Sequence, residues 1–197
     1  IIARFPQAQG VFDQLNAAGE MTMLPMGGWE ATVMAADTVL GTATAPNVVG
    51  ILEGTDPTLK HEYVVFSAHM DHIGISAGKP DSINNGADDD GSGTVGIVEL
   101  AEAFTRKRAA TRRSLIFLTV SGEEKGLWGS AYFTAHPPVP IDQVVANLNM
   151  DMIGRNWPDT VETIGMTFSS LGPTLDSVAA AHRDLGMTPV NDLAPEE

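Results

Sequence analysis

The sequence of 197 residues predicts an α/β domain built on a mostly parallel β-sheet. Two observations predict this fold. Apolar runs of strand length alternate along the chain with segments of helical periodicity. The run at 62–71 is apolar through its middle, as in a strand that is buried on both faces. With 43% apolar residues, the chain can form one globular core of ordinary size.

The first predicted elements begin at residue 47. The β-branched run at 47–52 predicts a strand, and the run at 62–71 predicts a second. A loop rich in glycine and polar residues covers 74–93. A helix is then predicted over 94–108, where basic residues close the last turn. The residues that recur at helical spacing in this segment are Val95, Val98, Ala101, Glu102 and Thr105.

The alternation continues to the end of the chain. Strands are predicted at 114–120, 144–150 and 161–166. Helices are predicted at 126–135 and 171–186, the second beginning at Pro173. Residues 1–45 have weaker signals, among them a short helix within 5–21. The predicted organisation is an N-terminal segment, 1–45, followed by an α/β domain, 46–197, with helices on both sides of the sheet.

Composition excludes several classes of function. The 25 acidic residues outnumber the 11 basic ones and give a net charge of −14, which disfavours nucleic acid and anionic membranes as partners. No apolar run approaches the roughly 20 residues of a membrane span. The absence of cysteine excludes disulfides, thiolate zinc sites and cysteine nucleophiles.

Polar side chains follow three of the predicted strands at the point where each strand ends. Because the carboxyl ends of parallel strands meet at one edge of a sheet, we expect these side chains to converge there. Three adjacent aspartates lie in the loop that follows the second strand. The residues are His69, Asp71, His72, Asp88, Asp89, Asp90, Glu123, Glu124 and Asp151.

Imidazole and carboxylate groups without thiolate are a ligand set for zinc, manganese or iron. Two metal ions close together need a bridging carboxylate. Of the adjacent glutamates, one could bind metal while the other accepts a proton from water. His69 and Asp71 lie two apart on an extended segment and face the same way, so Asp71 could orient the imidazole.

Each of these residues, taken singly, has an ordinary structural explanation. The prediction of a metal site depends on finding all of them at one edge of the sheet. Three other histidines lack such a placement and are predicted to be structural: His61, His136 and His182. The run that begins at Asp88 and reaches Glu99 also matches the spacing of a calcium-binding EF-hand loop. The Gly-, Pro- and Asn-rich segment before it cannot supply the entering helix, which disfavours calcium.

Four motifs together resemble one family in order and spacing: "SAHMDHIG" (67–74), "NNGADDDGSG" (84–93), "SGEEKGLWGS" (121–130) and "NLNMDMIGR" (147–155). They are similar to those of the co-catalytic di-zinc aminopeptidases, zinc exopeptidases whose relatives include glutamate carboxypeptidase, glutaminyl cyclase and the transferrin receptor. The resemblance implies a zinc-exopeptidase fold of the phosphorylase/hydrolase-like type and two zinc ions.

The resemblance also implies a role for each matching residue. His69 and Asp151 would bind one zinc ion, Glu124 the other, and Asp89 both, with a cis peptide bond between Asp89 and Asp90. Asp71 would orient His69, and Glu123 would be the general base. Asp88 and Asp90 would shape the loop and face backbone donors or solvent.

One family ligand has no counterpart, because the last zinc ligand of the family is a histidine downstream of the aspartate strand. The chain is therefore expected to be cut before that ligand and before the last strands of the sheet. The second site would retain only Asp89 and Glu124, so one zinc ion or fewer would bind tightly. These 197 residues alone are expected to have little or no activity.

The activity implied for the parent protein is removal of the N-terminal residue of peptides by zinc-activated water. Carboxypeptidase or dipeptidase activity on the same fold is the nearest alternative, and a non-catalytic binding module is another. The resemblance further implies a secreted or periplasmic location. It leaves the oligomeric state open.

Overall fold

The computed structural model describes residue 38 and residues 41–107, 111–155 and 157–192. The chain divides into two compact units, Ile1–Thr42 and Ala43–Glu197, and the sheet and helices described below belong to the second. The short helix predicted within 5–21 lies outside the described residues. Among those described, no helix has the length and apolarity needed to cross a bilayer.

The main sheet has four strands in the spatial order β1-β3-β2-β4. They are β1 (Val48–Leu52), β2 (Tyr63–His69), β3 (Ser114–Val120) and β4 (Val144–Asn149). β2 pairs in parallel with both β3 and β4, whereas β1 pairs antiparallel with β3. The prediction of a mostly parallel sheet is confirmed. The antiparallel direction of β1 was not predicted.

Helices cover the two faces of this sheet, as predicted. Side chains alternate along β3, so Ile116 and Leu118 face one side and pack with Phe133 of helix α2 (Trp128–Ala135). Leu115 and Phe117 face the other side and pack with helix α1 (Gly91–Arg106). β3 is therefore buried on both faces, and each such side chain contributes about 1.5–3 kcal/mol of burial free energy.

The helix predicted at 94–108 is present as α1, but it packs through a different face from the one its spacing suggested. Val95 and Val98 are each 59% exposed. Of the predicted residues, Ala101 does pack on the sheet, and the other contacts come from Ile97, Leu100 and Phe104. Buried Gly93, near the start of the helix, lies on this second face and fixes the rotation of the helix.

The end of the described chain forms a separate β-α-β unit. Strand β5 (Thr160–Ile164) and strand β6 (Thr188–Asp192) pair in parallel, and helix α3 (Leu171–Ala181) connects them. β6 was missed because it is short and contains a proline, which normally argues against a strand. α3 begins two residues before Pro173, which lies in the first turn where its missing N–H is not needed.

The parallel arrangement brings three strand ends to one edge. The backbone N–H of Met150 donates to Ser67 over 2.8 Å, and that of Met70 donates to Val120 over 2.9 Å. These bonds continue the ladders to the last residues of the strands. The segments that follow β2, β3 and β4 therefore leave the sheet side by side.

Candidate metal centre

His69 is the last residue of β2 and lies at the centre of the convergent edge. Its side chain is only 3% exposed. The Nε2 atom is 3.1 Å from Oδ1 of Asp89 and 3.7 Å from Oδ2 of Asp151. One ligand atom from each of the three residues lies within 4.8 Å of the others, which is the spacing of a metal-binding group.

The other nitrogen of the His69 ring fixes its orientation. Nδ1 is 3.0 Å from the backbone oxygen of Asp71. A ring that donates its Nδ1–H there presents the lone pair of Nε2 to Asp89 and Asp151. The carboxylate of Asp71 is farther from Nδ1, at 3.8 Å. It accepts the backbone N–H of Glu123 over 3.2 Å, so Asp71 connects the segments after β2 and β3.

The three adjacent aspartates have three different environments. Asp90 is 2% exposed and accepts backbone N–H groups from His69 (3.0 Å), Gly93 (2.9 Å) and Met152 (3.3 Å). Burial raises the pKa of Asp90, and these three bonds oppose the rise. Asp88 accepts the N–H of Gly154 over 2.9 Å.

The remaining aspartate, Asp89, points to the His69 imidazole. The peptide bond between Asp89 and Asp90 is cis, as the resemblance implies. Asp88 and Asp90 face backbone donors instead. The loop accommodates three adjacent carboxylates because the three side chains point in different directions. Only Asp89 belongs to both metal-binding groups of the described residues.

Glu123 and Glu124 lie in a tight turn after β3. The backbone oxygen of Glu123 accepts the N–H groups of Gly126 and Leu127, over 2.9 and 3.0 Å. The two carboxylates then diverge. Oε2 of Glu123 is 4.0 Å from Nε2 of His69, whereas Oε1 of Glu124 is 2.6 Å from Nδ1 of His72.

The charge of the cluster shifts two pKa values. Burial raises the pKa of Glu123; nearby His69 opposes the rise, and the carboxylates of Glu124, Asp151 and Asp71 add to it. Burial by itself would lower the pKa of His69, but the carboxylates of Asp90 and Asp151 outweigh burial and the net direction is upward. A buried imidazole among several carboxylates fits a divalent cation such as zinc.

A second group of ligand atoms adjoins the first and consists of His72, Asp89 and Glu124. Sequence reasoning noted His72 at the end of the strand but gave it no role. The only available signal was its position directly after Asp71. The direction of a side chain on an irregular segment does not follow from strand alternation.

The histidines predicted to be structural lie apart from these groups. His61 ends a 3₁₀ turn (Leu59–His61), His182 follows α3, and the ring of His136 stacks on Tyr132 at a centroid distance of 4.4 Å. The EF-hand alternative also finds no support. Glu99 is exposed in the middle of α1, and residues 74–90 contain no helix.

The chain belongs to peptidase family M28, whose model matches residues 47–192. The resemblance carried by the four motifs is thereby confirmed at the level of the family. Among curated relatives, the chain is 30% identical over 121 residues to aminopeptidase YwaD of Bacillus subtilis, a match that covers 60% of this chain and 24% of the relative. It is 29% identical over 154 residues to a probable zinc metalloprotease of Leptosphaeria maculans, covering 77% and 35%.

The fold is also that of solved zinc-exopeptidase relatives. The aminopeptidase from Aneurinibacillus sp. strain AM-1 superposes with a TM-score of 0.53 at 24% identity, covering 75% of this chain and 34% of that one. This likeness supports the fold alone. The chain spans about a quarter to a third of the length of the curated relatives described above.

Proposed function

We propose that this chain carries the catalytic centre of a zinc-dependent exopeptidase that removes the N-terminal residue of peptides. The observation that carries the proposal is the position of Glu123 beside a complete group of ligand atoms. Its carboxylate is 4.0 Å from the Nε2 of His69. Both residues, with Asp151, line a cavity of about 330 Å³ that is otherwise largely apolar.

Family membership supports peptide hydrolysis, and the aminopeptidase among the relatives supports action at the N-terminus. Bound zinc would supply a Lewis acid for the scissile carbonyl and would lower the pKa of the attacking water. Glu123 takes a proton from that water and returns it to the leaving amine. Asp71 holds the backbone of Glu123 in place through the N–H that it accepts.

Electrostatics also favours a free N-terminus over a free C-terminus. Six carboxyl groups surround the centre and outnumber the four positive charges that two zinc ions would bring. A site with excess negative charge attracts an α-ammonium group and repels an α-carboxylate. The groups are those of Asp71, Asp89, Asp90, Glu123, Glu124 and Asp151.

A panel of blocked peptides tests the proposal. Because the chain spans only part of its relatives, the assay uses the full-length polypeptide that carries it. Peptides with a free N-terminus are expected to be cleaved whether or not their C-terminus is amidated, and N-acetylated peptides are expected to resist. A chelator is expected to abolish cleavage, and zinc to restore it.

Two results would contradict the proposal in different ways. Cleavage of N-acetylated peptides only when the C-terminus is free would assign a carboxypeptidase. Absence of cleavage across the panel by a zinc-loaded, folded protein would assign a non-catalytic binding module.

A further inference from the structure

The glutamate turn, residues 121–129, is a closed loop whose two ends touch. A Cβ added at Gly129 would lie 2.3 Å from the backbone oxygen of Ser121, so the backbones of the two ends are in direct contact. Inside the loop, the N–H of Trp128 donates to the backbone oxygen of Gly122 over 3.0 Å. The position of both glutamates therefore depends on how these two ends are held.

The side chain of Asn47, which directly precedes β1, joins the two ends of the turn. Its Nδ2 atom donates to the backbone oxygen of Gly129 over 2.7 Å, and its Oδ1 atom accepts the backbone N–H of Ser121 over 3.1 Å. Because a backbone N–H can only donate and a backbone oxygen can only accept, these partners fix the orientation of the amide. Both functions of one amide group are thus used to hold the turn closed.

The chain before β1 binds the end of β3 a second time. The Oγ atom of Ser121 donates to the backbone oxygen of Pro46 over 2.7 Å. In the antiparallel ladder, Val48 lies opposite Thr119. Proline has no N–H to donate to β3, so side-chain hydrogen bonds take over from the ladder at this point. The start of β1 and the start of the turn are therefore connected by side chains.

The backbone inside the turn is strained and requires such support. Three of its residues have left-handed φ angles: Gly122 (+75°), Gly126 (+109°) and Leu127 (+61°). This region is unfavourable for a leucine, because its Cβ crowds the following carbonyl oxygen. Conformations of this kind persist only where the surrounding contacts hold them. The two hydrogen bonds of Asn47 are contacts of this type.

Glu123 is held both directly and through the ends of the turn. Its backbone N–H donates to Oδ1 of Asp71 over 3.2 Å. Asp71 thus fixes residue 123 itself, whereas Asn47 fixes the ends of the loop from which its side chain projects. Release of those ends would let the carboxylate leave its position 4.0 Å from Nε2 of His69.

We propose that Asn47 is a positioning residue for Glu123, on which it acts through the two ends of the glutamate turn. This inference rests on the proposed function, in which Glu123 transfers the proton. The hydrogen bonds of the Asn47 side chain go to the backbone of the turn, and Asn47 does not line the cavity beside Glu123. Its removal is therefore expected to lower kcat and to leave KM unchanged.

Kinetics of the full-length polypeptide at saturating zinc test the assignment. Asn47→Ala is expected to lower kcat by about 10–10²-fold, because a small displacement of a catalytic group costs rates of this size. Circular dichroism and metal analysis check that the variant is folded and loaded. Asp56→Asn, in the turn at the other end of β1, is the control that loses stability and keeps the wild-type kcat. A purely structural role for Asn47 would make the two variants alike.

A double-mutant cycle shows whether Asn47 acts through Glu123. In the Glu123→Gln background there is no base left to position, so Asn47→Ala is expected to cause no further loss of kcat. Two residues with independent roles would instead give losses that multiply.

A second variant, Asn47→Asp, preserves the shape of the side chain and the acceptor for Ser121. Its carboxylate lies against the backbone oxygen of Gly129 and cannot donate to it, whereas the protonated carboxyl can. The ratio of its kcat to that of the wild type is therefore expected to rise as pH falls.

Three results would overturn the assignment while leaving the proposed function intact. They are a kcat of Asn47→Ala within a few-fold of wild type, equal losses of kcat in the two backgrounds, and a ratio for Asn47→Asp that does not change with pH. Absence of cleavage by the folded, zinc-loaded wild-type polypeptide would contradict the proposed function and this inference together.

Discussion

At the scale of single residues, the adjacent glutamates lie in separate surroundings. The carboxylate of Glu123 lies near His69, whereas that of Glu124 lies against His72. The turn after β3 directs the side chain of Glu123 toward His69 and that of Glu124 into the second group of ligand atoms. Replacement of one glutamate should therefore leave the other in place, so proton transfer and metal binding can be separated by mutation.

Glu123→Gln is expected to lower kcat by about 10²–10⁴-fold, because the amide cannot accept a proton from water. Zinc content is expected to stay unchanged, since Glu123 is not in either ligand group. Steady-state kinetics and metal analysis of the full-length polypeptide check both outcomes. Glu99→Gln, on the exposed side of α1, is the matched control. A kcat within a few-fold of wild type would remove Glu123 from the role of base.

The sequence placed His69, Asp89, Glu124 and Asp151 at one edge, because parallel strands bring their carboxyl ends together there, and the family resemblance implied that these four bind metal. His72 could be placed at this edge as well, but its direction could not be predicted. It follows the regular part of β2, and its direction depends on the left-handed backbone at Gly86, fourteen positions later in the chain. Strand alternation gives no information about such a contact.

At the scale of elements, the start of α1 connects the sheet to the aspartate loop. The Asp90 carboxylate caps α1 at the N–H of Gly93 and also binds the end of β2. Gly93 is buried against this carboxylate. A Cβ added there would lie 2.4 Å from Oδ1 of Asp90 and 2.4 Å from the backbone oxygen of Met150.

Gly93→Ala is therefore expected to destabilise the chain by about 1–3 kcal/mol, the usual cost of overpacking. Urea unfolding measures the change. Gly96→Ala in the same helix is the control, because its added Cβ would meet only the flexible ends of Ile153 and Met150, at 3.3 Å and beyond. Alanine also gains helix propensity at that position. Equal stability of the two variants would show that the contact at Gly93 is not tight.

Asp56 stabilises the turn after β1 through its charge. It accepts N–H groups from Thr58 and Leu59 and pairs with Arg112. These bonds, that of Leu59 first and that of Arg112 next, lower the pKa of Asp56 from 3.8 to about 2. A lowered pKa in the folded state gives stability that is present above the unfolded pKa and is lost as pH falls toward the folded pKa.

Asp56→Asn is accordingly expected to be less stable than wild type at neutral pH. The difference should shrink as pH falls from about 4 to about 2. Urea unfolding at several pH values measures it, and Asp176→Asn on α3 shows the background effect of removing one exposed charge. A difference that stays constant down to pH 2 would contradict the role of the ionised carboxylate.

The presence of helices and strands was easier to predict than their orientation. The run at 114–120 predicted β3 with its bounds, because apolar β-branched runs have few alternatives. The rotation of α1 was not predicted, since Val95 and Val98 satisfy the same periodicity as the true contact face. The antiparallel direction of β1 depends on its pairing with β3, a contact with no local signal.

At the scale of the whole molecule, one sheet edge holds a concentration of carboxylates that a divalent cation would neutralise. A ligand that binds only the folded state stabilises it by about 2.7 kcal/mol at 100 times its Kd. For a chain of this length, zinc is therefore expected to raise Tm by about 5–10 °C.

Thermal denaturation with zinc, with magnesium and with a chelator measures this shift. Asp89→Asn, which alters both ligand groups, is expected to lose most of the shift. Magnesium is expected to have little effect, because it binds imidazole poorly. An equal shift for Asp89→Asn would place the stabilising ion elsewhere.

The central claim is that side chains between positions 69 and 151 hold divalent cations at the carboxyl edge of the sheet. Anomalous diffraction at the zinc edge, from crystals of the zinc-loaded chain, tests it most directly. The account predicts a peak about 2.0–2.2 Å from ligand atoms of His69, Asp89 and Asp151. Zinc peaks confined to other parts of the chain, or no peak at all, would contradict it.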